Sequence, residues 1–107
     1  MRVVLVTAPP SEAPELARAL VTDGYAACVN LLPVRSVYWW DGQVHDDSEV
    51  TMIIKVKAEG VPALRERVLE LHSYSVPEFV VLDVDTDESS PAYVNWVRKT
   101  ARNSGGP

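Results

Sequence analysis

The spacing of apolar side chains changes period along this chain, and each change marks an element. Residues 2–7 are a β-branched and aliphatic run closed by Pro9-Pro10, which predicts a short strand buried on both faces. Ser11 then stands where a helix cap is wanted, and Pro14 falls in the first turn, where its missing N–H does no harm. Ala13, Leu16, Ala17, Leu20 and Val21 recur at helical spacing until Gly24 stops the helix. Residues 26–34 predict a strand interrupted by Pro33, and 35–40 resume it with Val37, Tyr38, Trp39 and Trp40 ahead of an Asp41-Gly42 hairpin turn. Between 50 and 56, Val50, Met52, Ile54 and Val56 alternate with Thr51, Ile53 and Lys55, the pattern of a central strand with one wholly apolar side. Val61, Leu64, Val68 and Leu71 line a second helix whose other face carries Arg65, Glu66, Arg67 and Glu70. After a loop over 73–78, residues 79–85 predict a strand with Val80, Leu82 and Val84 on one side. Ser90-Pro91 opens a last helix through Arg102, with Tyr93, Trp96 and Val97 facing inward.

This order is that of an α+β, ferredoxin-like split βαβ fold, βαββαβ plus a C-terminal helix. Right-handed crossovers place the first and third strands in the middle of the sheet and the helices on one face. A length of 107 residues holds one domain, assigned to residues 1–103, with 104–107 as a flexible tail. Apolar residues make up 47%, enough for a core, while a net charge of −5 repels phosphate backbones and anionic lipid. Nucleic acid and membranes are therefore not expected as partners. Cys28 is the only cysteine, which rules out an internal disulfide and suits a reducing compartment. The N-terminal apolar run is too short for a signal peptide and no segment is long enough to span a bilayer, so a cytoplasmic location is expected.

The hairpin over 26–57 is too long for its own subunit. Each arm approaches fifteen residues and extends about 50 Å at ~3.3 Å per residue, against a radius of gyration of about 13 Å for a domain of this size. Its outer half carries Tyr38, Trp39 and Trp40 on a two-stranded ribbon that would be marginal alone in water. These three aromatics are the candidate interface between copies, and a closed homo-oligomer with strand pairing between subunits is expected. A sharp bend at Pro33, folding the aromatic section back on a monomer, is the competing reading.

Candidate chemistry is sparse. His72, ending the second helix, is the candidate metal ligand because imidazole suits soft and borderline divalent ions. A zinc or copper site needs three or four donors, so other chains would have to supply the rest. The same position equally suits a histidine that satisfies terminal helix carbonyls. Glu49 and Lys55 share one face of a strand. With Arg35, Tyr74 and Glu78 they form a candidate polar cleft between copies for a small molecule or metal, or else salt bridges that fix register. Cys28 reads as a buried small hydrophobe, Asn30 as a fixer of backbone near the Pro33 bend, and His45 as a solvated turn residue. Asp83, Asp85, Asp87 and Glu88 read as a solvated acidic rim. No phosphate-cradling glycine loop or nucleophile elbow occurs, so no catalytic or cofactor-binding residue is assigned and an enzyme is not expected.

Six segments in order carry a family resemblance: Thr7-Ala8-Pro9; Ala26-Ala27-Cys28-Val29-Asn30; Ser36-Val37-Tyr38-Trp39-Trp40-Asp41-Gly42; Glu49 with Ile53-Ile54-Lys55; His72-Ser73-Tyr74-Ser75-Val76-Pro77-Glu78; and Tyr93-Val94-Asn95-Trp96. Together they resemble the CutA family, the divalent-cation tolerance proteins. The resemblance implies a ferredoxin-like homotrimer built through long hairpins and a role in tolerance of copper and other divalent metals. No cofactor is required, copper or another divalent cation being the candidate ligand. Ser73 and Ser75 stand where members usually carry proline and an acidic or polar residue. Val6 and Leu71 stand where members with proposed copper ligation carry a cysteine and a second histidine, leaving His72 alone. A trimeric signalling or scaffold module, binding a small molecule or protein at clefts between subunits as PII-like regulators do, is the second expectation. An acylphosphatase is disfavoured because residues 7–11 hold no arginine for a phosphate.

Overall fold

The structure, a computed structural model, describes residues 1–101. The tail at 104–107, the boundary at 103 and a helix end at Arg102 lie outside the described residues. The elements are β1 (Arg2–Ala8), α1 (Ala13–Thr22), β2 (Cys28–Trp40), β3 (Gln43–Val56), α2 (Val61–Leu71), β4 (Val80–Asp83) and α3 (Pro91–Thr100). One sheet runs β2-β3-β1-β4, antiparallel at every pairing, so β1 and β3 are the inner strands as the crossover rule requires.

Period-2 alternation sorts the side chains of this sheet. Val4, Val6 and Ala8 of β1 and Val50, Met52, Ile54 and Val56 of β3 point to one side, where they are buried with Leu16 and Leu20 of α1 and Leu64 and Val68 of α2. The opposite residues form a second face. Pairing sets Leu5 beside Ile53 and Val80, and Val3 beside Leu82, with Leu32 further along β2. No helix closes most of that face: Leu32, Val80 and Leu82 are each more than 40% exposed. Only α3 covers one end of it, packing Val97 and Ala101 against Ala27 and Met1 and setting Tyr93 beside Cys28.

The β2–β3 hairpin stays paired from Cys28↔Lys55 to Trp40↔Gln43. Asp41 (φ 51°) and Gly42 (φ 73°) both take positive φ, as a tight two-residue hairpin turn needs. A Cβ on Gly42 would meet no neighbouring atom, so its requirement is conformational alone. The ribbon lifts the radius of gyration to 14.3 Å and the longest dimension to 44 Å.

Several expectations need correction. Strand β2 does not bend at Pro33, which pairs with Val50 inside a continuous ladder; β2 is an edge strand, where a missing N–H costs no ladder bond. Asn30 is accordingly not a bend fixer but lies exposed, its amide oxygen accepting from Lys55. Glu12, not Ser11, occupies the N-cap of α1. Val21 and Leu71 are each 38% exposed, at the margins of their helices' apolar stripes. In α3 the buried positions are Val94 and Val97, while Tyr93 and Trp96 are more than a third exposed, because the helix meets only one end of the sheet. At the end of α1, Gly24 takes φ 79° and the N–H groups of Gly24 and Tyr25 bond Val21 and Leu20 carbonyls, the double closure that glycine permits.

The buried side of β3 should govern stability: Ile54→Ala is expected to cost about 3 kcal/mol in chemical denaturation, since Ile54 is fully enclosed and a core relaxes only partly around the space a lost side chain leaves.

Candidate functional site

A cleft of about 520 Å³ opens where the loop after α2 meets the second face of the hairpin. Thr7 of β1, Ser36, Val37, Tyr38 and Trp40 of β2, Glu49 of β3, and Tyr74, Ser75, Val76 and Glu78 of the loop line it. Alternation explains the roster. Even positions of β2 and odd positions of β3 share a face, so Ser36, Tyr38 and Trp40 converge with Glu49.

The polar groups are held in pairs. Glu49 is 6% exposed, and its Oε2 accepts a hydrogen bond from the Tyr74 hydroxyl at 2.8 Å. The Tyr38 hydroxyl donates to Asp47 Oδ2 at 2.6 Å, and its ring stacks on His45 with centroids 5.3 Å apart. Burial and the bond to Glu49 push the Tyr74 hydroxyl well above its ordinary range. The bond to Asp47, then burial and the Asp47 and Glu49 charges, raise that of Tyr38 to about 12. Burial, followed by the charge of Glu49, raises the Glu78 carboxyl. Neither Glu49 nor Glu78 has an ion pair among the described residues.

A second network fixes the loop behind the cleft. His72 is buried; its Nε2–H donates to the Thr7 carbonyl at 2.7 Å, and its Nδ1 accepts from the Tyr74 N–H at 3.1 Å. Those partners define the neutral ring with the proton on Nε2. Glu12 Oε1 accepts from the Ser73 N–H at 2.9 Å and Oε2 from the Ser73 hydroxyl at 2.6 Å. Burial pushes the Glu12 carboxyl up, but the bonds from the Ser73 hydroxyl and N–H outweigh it and leave it below its ordinary value.

The structure brings the cleft candidates Glu49, Tyr74 and Glu78 together with the interface candidates Tyr38 and Trp40, and sets the cleft candidates Arg35 and Lys55 and the interface candidate Trp39 elsewhere. Arg35 is an odd position of β2 and points to the other face, where its guanidinium binds Asp46 in a two-pronged pair at 2.7 and 2.6 Å. Trp39 shares that side and is 70% exposed. Lys55 does share the face of Glu49, but six residues of strand set them about 20 Å apart, and its ammonium bonds Asn30 instead. Asp47, Ser36, Val76 and Thr7 are contributors that sequence reasoning missed. Asp47 and Ser36 could have been found from the two-residue turn, which fixes the register back through both strands.

The donors of one chain do not fit a copper cage. Both His72 ring nitrogens are engaged, Val6 and Leu71 offer no ligating atom, and Cys28 lies on β2, two strands from β1 and beside Tyr93. Among the described residues no three His, Cys, Asp or Glu side chains group as metal ligands. Asp85 is tied up accepting N–H bonds from Asp87 and Glu88, and Asp83 pairs with Arg2 at 3.0 Å.

Fold and site together define a split-βαβ protein with an extended hairpin and a cleft at its root. The sequence matches the CutA1 divalent ion tolerance protein family over residues 2–100, and the chain belongs to that family. It is 42% identical over 99 residues to the divalent-cation tolerance protein CutA of Thermus thermophilus, covering 91% of this chain and 94% of that one. Protein CutA of Homo sapiens is also 42% identical, over 92% of this chain but 55% of its own length. Among solved structures, the PII-like protein CutA from Nostoc sp. PCC 7120, in apo form, superposes with a TM-score of 0.94 at 41% identity, covering 95% and 98% of the two chains.

The Glu12–Ser73 contact makes a pH-dependent contribution of determinable sign. A carboxyl held below its unfolded pKa stabilises the fold above that unfolded value and loses its effect as pH falls through the folded one. Glu12→Gln should therefore lower stability by about 1 kcal/mol near neutrality, with the deficit shrinking below about pH 4; thermal unfolding from pH 3 to 7 measures it.

Proposed function

We propose that this chain acts as a homotrimer in the cell's response to divalent cations, with any metal, copper included, held by groups from more than one copy. The observation that carries the reading is the second face of the sheet. Leu5, Ile53, Leu32, Val80 and Leu82 form an apolar surface that the chain's own helices leave open, continuous with a hairpin bearing exposed Tyr38 and Trp40. Burying such a surface against copies of itself is the least costly way to remove it from water. Tyr93 and Trp96 of α3 belong to the same exposed aromatic set.

The role is binding rather than catalysis. The cleft holds carboxylates and phenols without a nucleophile–base pair, and its two phenols are committed to carboxylates. A second reading, a signalling module that takes a small molecule at clefts beside the subunit boundary, is favoured by the 520 Å³ volume and convergent polar groups, within the range of small-molecule sites. No helix among the described residues is long and apolar enough to cross a membrane. A cytoplasmic location is part of the proposal, and relatives differ: the CutA of Archaeoglobus fulgidus is called periplasmic and that of Arabidopsis thaliana chloroplastic.

Native mass spectrometry at micromolar concentration should find three copies of the 11.8 kDa chain. Ile53→Asp, which sets a charge in the middle of the open face, should shift the population to single chains. A wild-type chain that is single under these conditions overturns the assembly.

A further inference from the structure

We propose that the cleft beside Glu49 and Glu78 binds a small organic cation, a protonated amine or quaternary ammonium, clasped between the two carboxylates and the rings of Tyr38, Trp40 and Tyr74. The inference rests on the reading of this cleft as a small-molecule site and adds the class of ligand.

Charge sets the sign of the ligand. Glu49 is nearly enclosed with one oxygen satisfied by Tyr74, and Glu78 forms no hydrogen bond or ion pair among the described residues. A buried carboxylate without a cation is costly, and a second beside it makes it more so. The two cations that strand pairing places nearest are spent elsewhere: Arg35 on Asp46 across the sheet and Lys55 on Asn30 far along the strand. An anionic ligand would add a third negative charge.

The walls then choose between kinds of cation. A soft or borderline metal needs nitrogen or sulfur donors, and no His or Cys lines the cleft. A hard divalent ion needs six or more converging oxygens, and among the described residues no three His, Cys, Asp or Glu side chains group to hold a metal, while Trp40 and Val76 give the cleft an apolar wall. Aromatic faces do attract ammonium groups, and indole does so best. Both phenols donate their hydroxyl protons to carboxylates, Tyr38 to Asp47 and Tyr74 to Glu49, which enriches the rings in electron density. The volume suits a molecule of several heavy atoms rather than a bare ion.

Isothermal titration of the native protein with tetramethylammonium and with butane-1,4-diamine tests this, using magnesium, zinc and succinate as comparators. At least one amine probe should bind at submillimolar concentration and weaken about tenfold or more in Glu78→Gln, which removes one charged partner. Trp40→Leu should weaken it several-fold. Asp85→Asn, on the acidic rim away from the cleft, should leave binding unchanged. In the unsubstituted protein binding should weaken as acid protonates Glu78, whose carboxyl titrates above its ordinary value; this keeps the test decisive if a variant fails to fold. Equal loss in Asp85→Asn, or no binding by either amine, overturns the proposal. Succinate bound in place of the amines also overturns it while keeping the cleft a small-molecule site. Metal binding alone, lost in Glu78→Gln, overturns it in favour of a metal. Tyr38 and Trp40 line the cleft and also belong to the proposed contact between copies, so native mass spectrometry of each variant accompanies its titration, and loss of binding with the assembly intact is the result read.

Discussion

A β-sheet has two faces, and this chain has helix enough for one. Helices α1 and α2 close the side of Val4, Val6, Met52, Ile54 and Val56 completely, whereas α3 reaches only the end of the other side near Ala27. The remaining face is mixed: Leu5 and Ile53 on the inner strands continue into Val80, Leu82 and Leu32 as an apolar patch, while Thr7, Glu49 and Lys55 stand on the same side. Everything distinctive about the molecule follows from that imbalance: the apolar surface, the long ribbon that extends it, and the cleft where the ribbon meets the loop after α2.

The cleft is a product of strand arithmetic. One residue of displacement turns a side chain to the opposite face, so Tyr38 and Trp40 join Glu49 while Arg35 and Trp39 are sent away. Segregating Arg35 with Asp46 leaves the acidic side without an internal counter-cation. The loop that closes the cleft is pinned from behind by His72 to the Thr7 carbonyl and by Ser73 to Glu12, so Tyr74 is presented to Glu49 by a scaffold rather than by a free segment. In this arrangement His72 serves as a structural donor and acceptor, and Ser73 donates two hydrogen bonds of its own to Glu12.

Much of this was legible in the sequence, for a physical reason in each case. The alternation of β3 is a local property, and it marked both the buried and the open sides before any fold was known. Asp41-Gly42 forces the turn because both residues tolerate positive φ, and the turn in turn fixes every pairing of the hairpin. Six ordered segments marked the family. What local pattern could not supply was long-range placement. Helical spacing made Tyr93 and Trp96 look inward, but α3 meets only the sheet's end. Pro33 looked like a bend because nothing local says that β2 lies at an edge. Shared strand parity put Lys55 with Glu49 correctly in face and wrongly in reach. The carbonyl that accepts from His72 belongs to Thr7, 65 positions away, and no spacing rule reports it.

The account stands on the open face being covered by other copies of the chain, and amide hydrogen exchange of the outer hairpin reads this most directly. An isolated two-stranded ribbon leaves half of each strand's amides to water, and those of residues 36–47 would exchange within seconds. Covered by neighbouring subunits, the same amides should be protected at micromolar concentration nearly as well as those of β1. Fast exchange along the hairpin beside a protected β1 would contradict the account.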